Sequence, residues 1–259
     1  MHPILARYGP FFLYSYTVVH LLSLGLGLGL TAWLARRRRV EPSRWLDDVL
    51  AAGLVGLLGG RAAYVWANWD YFQVHTEEIG RLWLGGFSYH GVLLTALLGL
   101  WLWTRRPERS FLMVGGLLAP ALALLHAGGW LACWLEGCGY GRETAIGLLA
   151  GDLPDTYGVR AVRYHTQAAG LLLSLLVLAA VLAVRPRLRD GTLFWLTLLA
   201  LGLVQLGVSL YRGDAMAVLG PLRLDSWLNG ALAVGAAGAL IWSRLSKRGA
   251  GSPALLVSE

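Results

Sequence analysis

Long apolar blocks separated by short polar segments dominate the chain. Each block comes near the roughly 20 residues that an α-helix needs to cross a bilayer, although the third is shorter than the others. The pattern predicts an all-α integral membrane protein, with a seven-span membrane domain over residues 1–248 and a disordered cytoplasmic tail over residues 249–259. The predicted spans are residues 11–35, 47–66, 88–104, 111–135, 167–184, 191–211 and 226–243.

The basic residues between the blocks predict an orientation. They cluster after the first, third, fifth and seventh blocks, and loops rich in arginine and lysine stay in the cytoplasm. The N-terminus is therefore expected outside and the C-terminus in the cytoplasm. The net charge of +7 then requires no nucleic-acid partner. The clusters hold 14 of the 22 basic residues: Arg36, Arg37, Arg38, Arg39, Arg44, Arg105, Arg106, Arg109, Arg185, Arg187, Arg189, Arg244, Lys247 and Arg248.

Composition supports a membrane protein, because 56% of the residues are hydrophobic and 14% are charged. A soluble domain carries about 25% charged residues. The longest segments predicted outside are residues 67–87 and 136–166. The first of them is expected to form an amphipathic segment at the membrane interface, since it carries the aromatic residues Trp69, Tyr71, Phe72 and Trp83.

With this orientation, polar residues of all seven spans fall at the outer leaflet. Polar groups inside a membrane are costly and often functional. Each also has an ordinary explanation: Arg61 can extend its guanidinium outward, His90 can be an interfacial histidine, and Gln205 can join helices. Their common depth favours a functional site. The residues are Tyr14, Tyr16, Arg61, His90, Glu136, Arg142, Gln167, Gln205, Ser209, Arg212 and Asn229.

Residues 126–142, HAGGWLACWLEGCGYGR, end the fourth block with glycines, two cysteines, an acid and an arginine. Glycine lets the backbone approach a ligand closely, and arginine can hold a phosphate through two parallel hydrogen bonds. This combination beside lipid indicates a site for a phospholipid head group. Cys133 and Cys138 would point to different faces of an unbroken helix, too far apart to form a disulfide. No cluster of side chains has the spacing of a metal site.

Two segments in the first half of the chain, and the opening that precedes them, resemble the bacterial prolipoprotein diacylglyceryl transferases. The opening HPILARYGPFFLYSY is similar to the family's N-terminal segment and places Tyr16 at a tyrosine that lines the site. GGRAAYV at 59–65 resembles the segment at the second span. GGFSYHG at 85–91 resembles a glycine–serine–aromatic–histidine–glycine motif and places His90 at the family's functional histidine.

The second half carries the family signature and a later motif. GCGYGRET at 137–144 resembles the end of the signature and keeps Gly141 and Arg142. YHTQ at 164–167 resembles, in part, a His-Pro-Ser/Thr-Gln motif. These segments follow the family's order and fall at the expected spans, so the chain is identified as a member.

The chain departs from the family at several motif positions. Trp130 and Gln205 stand where the resemblance predicts two important arginines. Cys133 replaces an asparagine and Cys138 an acidic residue, as in a variant form of the signature. Other replacements are Tyr164 and His165 for His-Pro, Ala168, Ala169 and Gly170 for Leu-Tyr-Glu, and Ser209 for an acidic residue.

The resemblance implies transfer of a diacylglyceryl group from phosphatidylglycerol to the lipobox cysteine thiol of prolipoproteins, at the outer face of the bacterial cytoplasmic (inner) membrane. The attacking sulfur must be a thiolate, so a base is needed, and His90 is the candidate beside Tyr16 and Arg142. No cofactor and no metal are implied. Lipid- or phosphate-binding positions are Arg61, Gly86, Gly91, Gly141, Arg163, Gln167 and Arg212, and Cys133, Cys138 and Glu136 mark an altered part of the site.

Two alternatives stay open at this point. The first is a non-catalytic or divergent relative that binds phospholipid or lipoprotein, or that performs another head-group transfer. The second is a transporter or another membrane protein, which the odd number of spans and the lack of an internal repeat disfavour. The polar groups of a transporter would also be expected near the membrane midplane and not at one interface.

Overall fold

The fold is that of a computed structural model, in which residues 3–9, 11–82, 85–105, 110–145, 147 and 149–249 are described. Helices dominate these residues, with short 3-10 turns at Pro42–Arg44, Thr76–Glu78 and Arg185–Arg187. The α-helices in this part of the chain are α1 (Ser15–Arg37), α2 (Leu46–Ala67), α3 (Trp69–Phe72), α4 (Tyr89–Trp103), α5 (Phe111–Glu136), α6 (Thr166–Val184), α7 (Asp190–Ser209) and α8 (Leu224–Gly249).

Small antiparallel hairpins lie before α1, between α5 and α6, and before α8. The prediction of an all-α chain is therefore corrected for the segments between the apolar helices. Strands of two to five residues are too short to show a clear alternation of polar and apolar positions. The paired strands are β1 (Ile4–Tyr8) with β2 (Phe11–Tyr14), β3 (Ala150–Pro154) with β4 (Arg160–Tyr164), and β5 (Val218–Leu219) with β6 (Leu222–Arg223).

The long helices confirm a mostly helical membrane protein. Within the described chain, six helices are long and apolar enough to cross a membrane, and α4 is a shorter apolar helix of 15 residues. Their bounds follow the predicted blocks within a few residues. The largest shifts are at the seventh block, beyond which α8 continues to Gly249, and at the first block, which begins as strand β2 before α1 starts at Ser15. The six are Ser15–Arg37, Leu46–Ala67, Phe111–Glu136, Thr166–Arg187, Asp190–Ser209 and Leu224–Ser243.

The chain forms two compact units, and the larger one comprises Met1–Thr31 and Leu118–Glu259. Within it, α1 and α5 approach closely, because a β-carbon on Gly128 would overlap the side chain of Ser23. Ala119, Val181 and Leu193 of α5, α6 and α7 form a buried cluster. Small side chains thus bring these helices together, as is common in membranes.

The smaller unit comprises Ala32–Leu117 and is organised around the antiparallel pair α2 and α4. Glycines on both helices let the backbones approach, since added β-carbons would press on the opposite helix. The facing residues are Gly56 with Ala96, Gly60 with Val92, Gly91 with Ala63, and Gly99 with Val55.

The predicted amphipathic segment contains the short helix α3. Trp69 and Tyr71 are about half exposed, whereas Phe72 is buried. The Tyr71 hydroxyl donates to the Glu78 carboxylate at 3.0 Å, and this bond raises the pKa of Tyr71. Its location at a membrane interface stays a prediction. Trp83, Arg106, Arg109 and residues 250–259 of the predicted tail lie outside the described residues.

Candidate functional site

The end of α5 departs from the predicted unbroken helix. The helix stops at Glu136, and Gly137 takes a left-handed conformation with φ 95° that redirects the chain. The turn brings the Cα atoms of Cys133 and Cys138 to 4.6 Å, and the two residues form a disulfide. The expectation that they are too far apart to bridge is therefore wrong, because it assumed a helix through both residues.

Side chains hold the backbone carbonyls of the loop that follows, residues 137–142. Thr166 Oγ1 donates to the Gly139 carbonyl at 2.7 Å, and Gln167 Nε2 donates to the Cys138 carbonyl at 2.9 Å. Thr156 Oγ1 donates to the Gly137 carbonyl at 3.1 Å. Gln167, predicted to bind lipid, thus serves this loop in the structure. Together with the disulfide, these bonds fix the 137–142 loop to α6 and to the β3–β4 hairpin.

Arg142 follows this loop and is held by its backbone. Its amide donates to the Tyr211 carbonyl at 2.8 Å, and its carbonyl accepts from the Tyr164 amide at 3.3 Å. The guanidinium carbon lies 5.7 Å from the ring centre of Tyr164 and 5.5 Å from that of Tyr211. Arg142 is exposed, and no carboxylate pairs with its guanidinium among the described residues. Such a cation can meet an incoming anion without first breaking an ion pair.

Gly141 allows this arrangement. It forms an isolated antiparallel bridge with Arg212, and a β-carbon at this position would overlap the backbone of Tyr164. Gly141 thus allows a close approach to protein backbone, and its predicted approach to lipid stays a prediction.

Two other arginines of the larger unit are paired with carboxylates. Arg212 Nε donates to Asp214 at 2.8 Å, and its Nη1 lies 3.3 Å from Asp225. Burial alone would lower the pKa of Arg212, but the hydrogen bond to Asp214 and both carboxylate charges raise it overall. Arg163 Nη2 lies 3.1 Å from Glu143 and 3.4 Å from Asp155. Both guanidiniums are thus largely neutralised by partners within the fold.

Trp130 lies one helical turn and a half before the end of α5 and is 5% exposed. A β-carbon added to Gly170 of α6 would overlap its indole, and one added to Gly139 would lie 3.2 Å from it. The guanidinium carbon of Arg212 is 6.0 Å from the indole centre. The indole thus fills the space between α6, the 137–142 loop and Arg212.

A buried group of polar side chains lies next to this indole. His126, one turn before Trp130, has its ring centre 6.5 Å from that of Trp130. Its Nδ1 donates to Ser174 Oγ at 2.8 Å, because the Ser174 hydroxyl itself donates to the Gly170 carbonyl. The amide of Gln205 lies close enough to the ring to interact with it. The group connects α5, α6 and α7 without a formal charge.

In the smaller unit, Arg61 organises the segment before α4, residues 78–82 and 85–88. Its Nε donates to the Ile79 carbonyl at 3.1 Å and its Nη2 to the Glu78 carbonyl at 2.6 Å. Its Nη1 donates to the carbonyls of Gly85 at 2.6 Å and Gly86 at 3.2 Å. The residue is 6% exposed, so the backbone takes the place of water around this cation. We name residues 78–82 and 85–88 the pre-α4 segment.

His90 lies in the first turn of α4, directly after this segment. Ser88 caps the helix by accepting from the Gly91 amide at 3.2 Å. The His90 ring is partly buried and meets the Tyr89 ring edge-on at 5.0 Å. Gly86 lies against Arg61, and Gly91 lies against Ala63 of α2. The two glycines predicted to bind lipid thus make room for the structure that presents His90.

Tyr16 is in the first turn of α1 in the larger unit. Its ring lies 4.2 Å from that of His20, whose Nδ1 is 2.9 Å from the Tyr16 carbonyl. The Glu136 carboxylate at the end of α5 is near enough to act electrostatically on Tyr16. Tyr16 is 39% exposed and so keeps an accessible face.

The sequence was compared with known proteins. It matches the prolipoprotein diacylglyceryl transferase family over residues 3–242. The chain belongs to this family. Relatives named phosphatidylglycerol–prolipoprotein diacylglyceryl transferase include one from Polaromonas sp., which is 28% identical in an alignment that covers 98% of this chain and 97% of the relative. One from Acaryochloris marina is 27% identical over 229 residues, 86% of this chain and 83% of the relative. One from Cupriavidus pinatubonensis is 31% identical over 154 residues, 56% and 54% of the two chains.

The family assignment gives a meaning to the departures in this chain. Trp130, Gly170 and Gln205, which differ from the residues the resemblance predicts, lie around His126 and Ser174 in one buried group. These three positions therefore lie together in the structure, around a neutral aromatic ring and polar side chains.

Sequence reasoning missed several residues of this region. His126 and Ser174 were not singled out, although His126 precedes Trp130 by four positions and so shares its helix face. Asp214 and Asp225, the partners of Arg212, were also missed. Asp214 lies two positions after the arginine, and this proximity in sequence was an available signal.

Proposed function

We infer that this protein transfers a diacylglyceryl group from phosphatidylglycerol to the cysteine thiol of prolipoproteins. The family match over nearly the whole chain supports this, as do the names of its relatives. The structural observation that carries it is the exposed Arg142 guanidinium, held between two tyrosines at the end of the signature segment. A cation in this state suits the phosphate of the lipid donor.

The reaction makes one bond and breaks one. The cysteine sulfur attacks the glycerol carbon that carries the phosphate, a carbon–sulfur bond forms, and the carbon–oxygen bond to the phosphate breaks. The thiol proton goes to a base, and glycerol phosphate leaves as an anion. The chemistry therefore needs a proton acceptor for the thiol and positive charge for the leaving phosphate.

His90 is the proposed base. It stands in the first turn of α4, where the Ser88 cap and the pre-α4 segment fix the backbone. Imidazole changes its protonation near neutral pH, which suits proton transfer from a thiol. Tyr16, with its partly exposed ring, is proposed to hydrogen-bond the head group.

Arg142 is the proposed phosphate ligand. Arg61, Arg163 and Arg212 have partners in the fold, so we propose that they shape the loops instead of contacting phosphate directly. Gly86, Gly91, Gly141 and Gln167 are proposed to act in the same way. The disulfide of Cys133 and Cys138 then stabilises the loop that leads to Arg142.

We further propose seven spans, with α4 as the third, an external N-terminus and a cytoplasmic C-terminus, in the bacterial cytoplasmic membrane. The arginine clusters in the sequence support this orientation, and two arginine–tryptophan contacts support a membrane boundary at the end of α1 and after α4. Arg37 lies 4.1 Å from the ring centre of Trp33 near the end of α1, and Arg105 lies 3.7 Å from that of Trp101 after α4. Tryptophan and arginine pairs of this kind are typical of the membrane–water boundary.

The second candidate is a divergent relative that binds phospholipid or lipoprotein without transfer. It is favoured by Trp130 and Gln205, which stand where the resemblance predicts cations. The two functions differ in a single observable, the formation of a thioether on a substrate cysteine.

The test is a transfer assay with labelled phosphatidylglycerol and a lipobox peptide, in membranes that contain the protein. We expect a labelled thioether with the cysteine peptide and none with a serine peptide of the same sequence. His90→Gln should reduce the rate about 10²–10⁴-fold, because the amide cannot take up the proton, while lipid binding persists. Lipid binding without transfer by the wild type would establish the second candidate. Transfer that survives in His90→Gln would remove His90 as the base.

A further inference from the structure

The indole of Trp130 contacts two parts of the larger unit that are separated in the sequence. On one side it lies on Gly170 of α6, and on the other it meets Gly139 of the 137–142 loop. Both contacts are made by glycines: a β-carbon on Gly170 would overlap the ring, and one on Gly139 would lie 3.2 Å from it, in tight contact. The fit is therefore specific to a large flat side chain at position 130 with no β-carbon opposite it.

Movement at Gly139 would be transmitted to Arg142. Gly139 has φ 63°, and the chain runs from it through the bridge at Gly141 to the guanidinium three residues on. The Thr166 hydroxyl and the indole both contact Gly139, one at its carbonyl and one at its α-carbon side. Loss of the ring would leave that α-carbon side without its packing partner.

Trp130 itself does not present a surface to a substrate, because it is 5% exposed and neutral. The nearby Arg212 is already compensated by Asp214 and Asp225. The indole therefore does not contact the substrate. It can affect the reaction only by setting the positions of the residues that it contacts.

We propose that Trp130 is a positioning residue for the transfer reaction: seated on Gly170, its indole clamps the 137–142 loop and so sets the place of Arg142. The proposal rests on the transferase function inferred above. It makes Gly170 and Trp130 a matched pair, in which the missing side chain of one accommodates the ring of the other.

The test compares variants that disturb the ring from each side. Trp130→Ala removes the ring, Trp130→Phe keeps an aromatic side chain, and Gly170→Ala leaves Trp130 intact but places a β-carbon where the indole lies. Alanine favours a helix over glycine, so the third variant does not weaken α6 by itself. Gly207→Ala is the matched control, since nothing lies within 4 Å of a β-carbon at this exposed position of α7.

The readouts are kcat and KM for phosphatidylglycerol in the transfer assay, with thermal unfolding of each variant measured in parallel. We expect Trp130→Ala and Gly170→Ala to raise KM or lower kcat/KM by about tenfold or more, since small misplacements of a positioned group are costly. Trp130→Phe should recover most of the rate, and Gly207→Ala should match the wild type.

The decisive step is a double-mutant cycle with Arg142→Ala. If Trp130 acts by positioning Arg142, Trp130→Ala should cost almost nothing further once Arg142 is gone. Losses that multiply in the double variant would overturn the proposal, as would wild-type kinetics in both Trp130→Ala and Gly170→Ala. If Trp130→Ala does not fold, the cycle is run with Gly170→Ala and is read in the same way. A wild type without transfer would refute the proposed function as well, whereas transfer with a multiplicative cycle would refute only this inference.

Discussion

The pre-α4 segment and the 137–142 loop are both irregular, and the structure fixes them by opposite means. The pre-α4 segment wraps around a buried cation, because four backbone carbonyls accept from Arg61. The 137–142 loop is held by a disulfide, by neutral donors such as Thr166, and by the indole of Trp130. Each ends beside one proposed functional residue, His90 in the first case and Arg142 in the second.

The difference teaches where charge can be used in an apolar protein. A guanidinium that is surrounded by carbonyls, as Arg61 is, uses four of its five N–H donors on the backbone and has little left for a ligand. A loop organised by neutral groups leaves its nearby guanidinium available. Arg61 and Arg142 are thus the same residue type in two roles. Arg61 is 6% exposed and is bound by backbone carbonyls, whereas Arg142 is exposed.

The largest effect is expected from Arg61. Arg61→Ala removes four charge-assisted hydrogen bonds and should destabilise the smaller unit by at least about 3 kcal/mol, at roughly 1.5–3 kcal/mol for each bond to a charged group. Transfer should fall about 10²-fold as His90 loses its backbone support. Hydrogen exchange should show lost protection in the pre-α4 segment, and thermal unfolding should report the loss of stability.

Two variants sharpen this result. Arg61→Lys keeps the charge but lacks the planar fork, so an intermediate loss is expected. Arg160→Ala removes an exposed arginine whose ion pair with Asp152 is open to solvent, and it should change stability by no more than about 1 kcal/mol. Normal transfer and normal protection in Arg61→Ala would contradict the claim that this cation organises the segment.

A smaller effect is expected from the disulfide. In the chain-entropy relation, a closed loop this short contributes about 2 kcal/mol, so Cys133→Ala/Cys138→Ala should lower the unfolding free energy by about that amount. Reduction of the wild type should have the same effect. Exchange should increase in the 137–142 loop and stay unchanged in the pre-α4 segment.

The comparison between the two loops provides the control for this prediction. The double alanine variant should be insensitive to reductant, because it has no bond to break. Equal loss of protection in both segments after reduction would mean that the disulfide acts on the whole fold and not on its own loop.

Much of the fold follows from the sequence, because apolar runs of membrane length are a strong local signal. The blocks around α2, α5, α6 and α7 agree with the helices within a few residues. The hairpin β3–β4 is different, because its strands have only five residues each. Short strands of this kind carry no periodicity from which to predict them.

The candidate site is less accessible from sequence, since it depends on partners. The sequence does not distinguish the environment of Arg61 from that of Arg142. Only the structure shows that carbonyls surround Arg61 and that tyrosine rings lie beside Arg142. The disulfide was missed for a related reason. The disulfide forms because the chain turns at Gly137, which has a left-handed backbone conformation. The distance expected from the sequence assumed a continuous helix and did not include this turn.

The central claim is that Arg142 binds the lipid phosphate while the other arginines stabilise the fold. Its most direct test is to measure steady-state transfer from phosphatidylglycerol in Arg142→Ala and Arg212→Ala. Arg142→Ala should lose about 10²-fold in kcat/KM without a change in unfolding temperature, as expected for losing a charged partner of phosphate worth a few kcal/mol. Arg212→Ala should lower the unfolding temperature, because it removes one of the two guanidiniums, with Arg223, that compensate Asp214 and the buried Asp225. Wild-type kcat/KM in Arg142→Ala, with the loss appearing in a stably folded Arg212→Ala, would contradict the account.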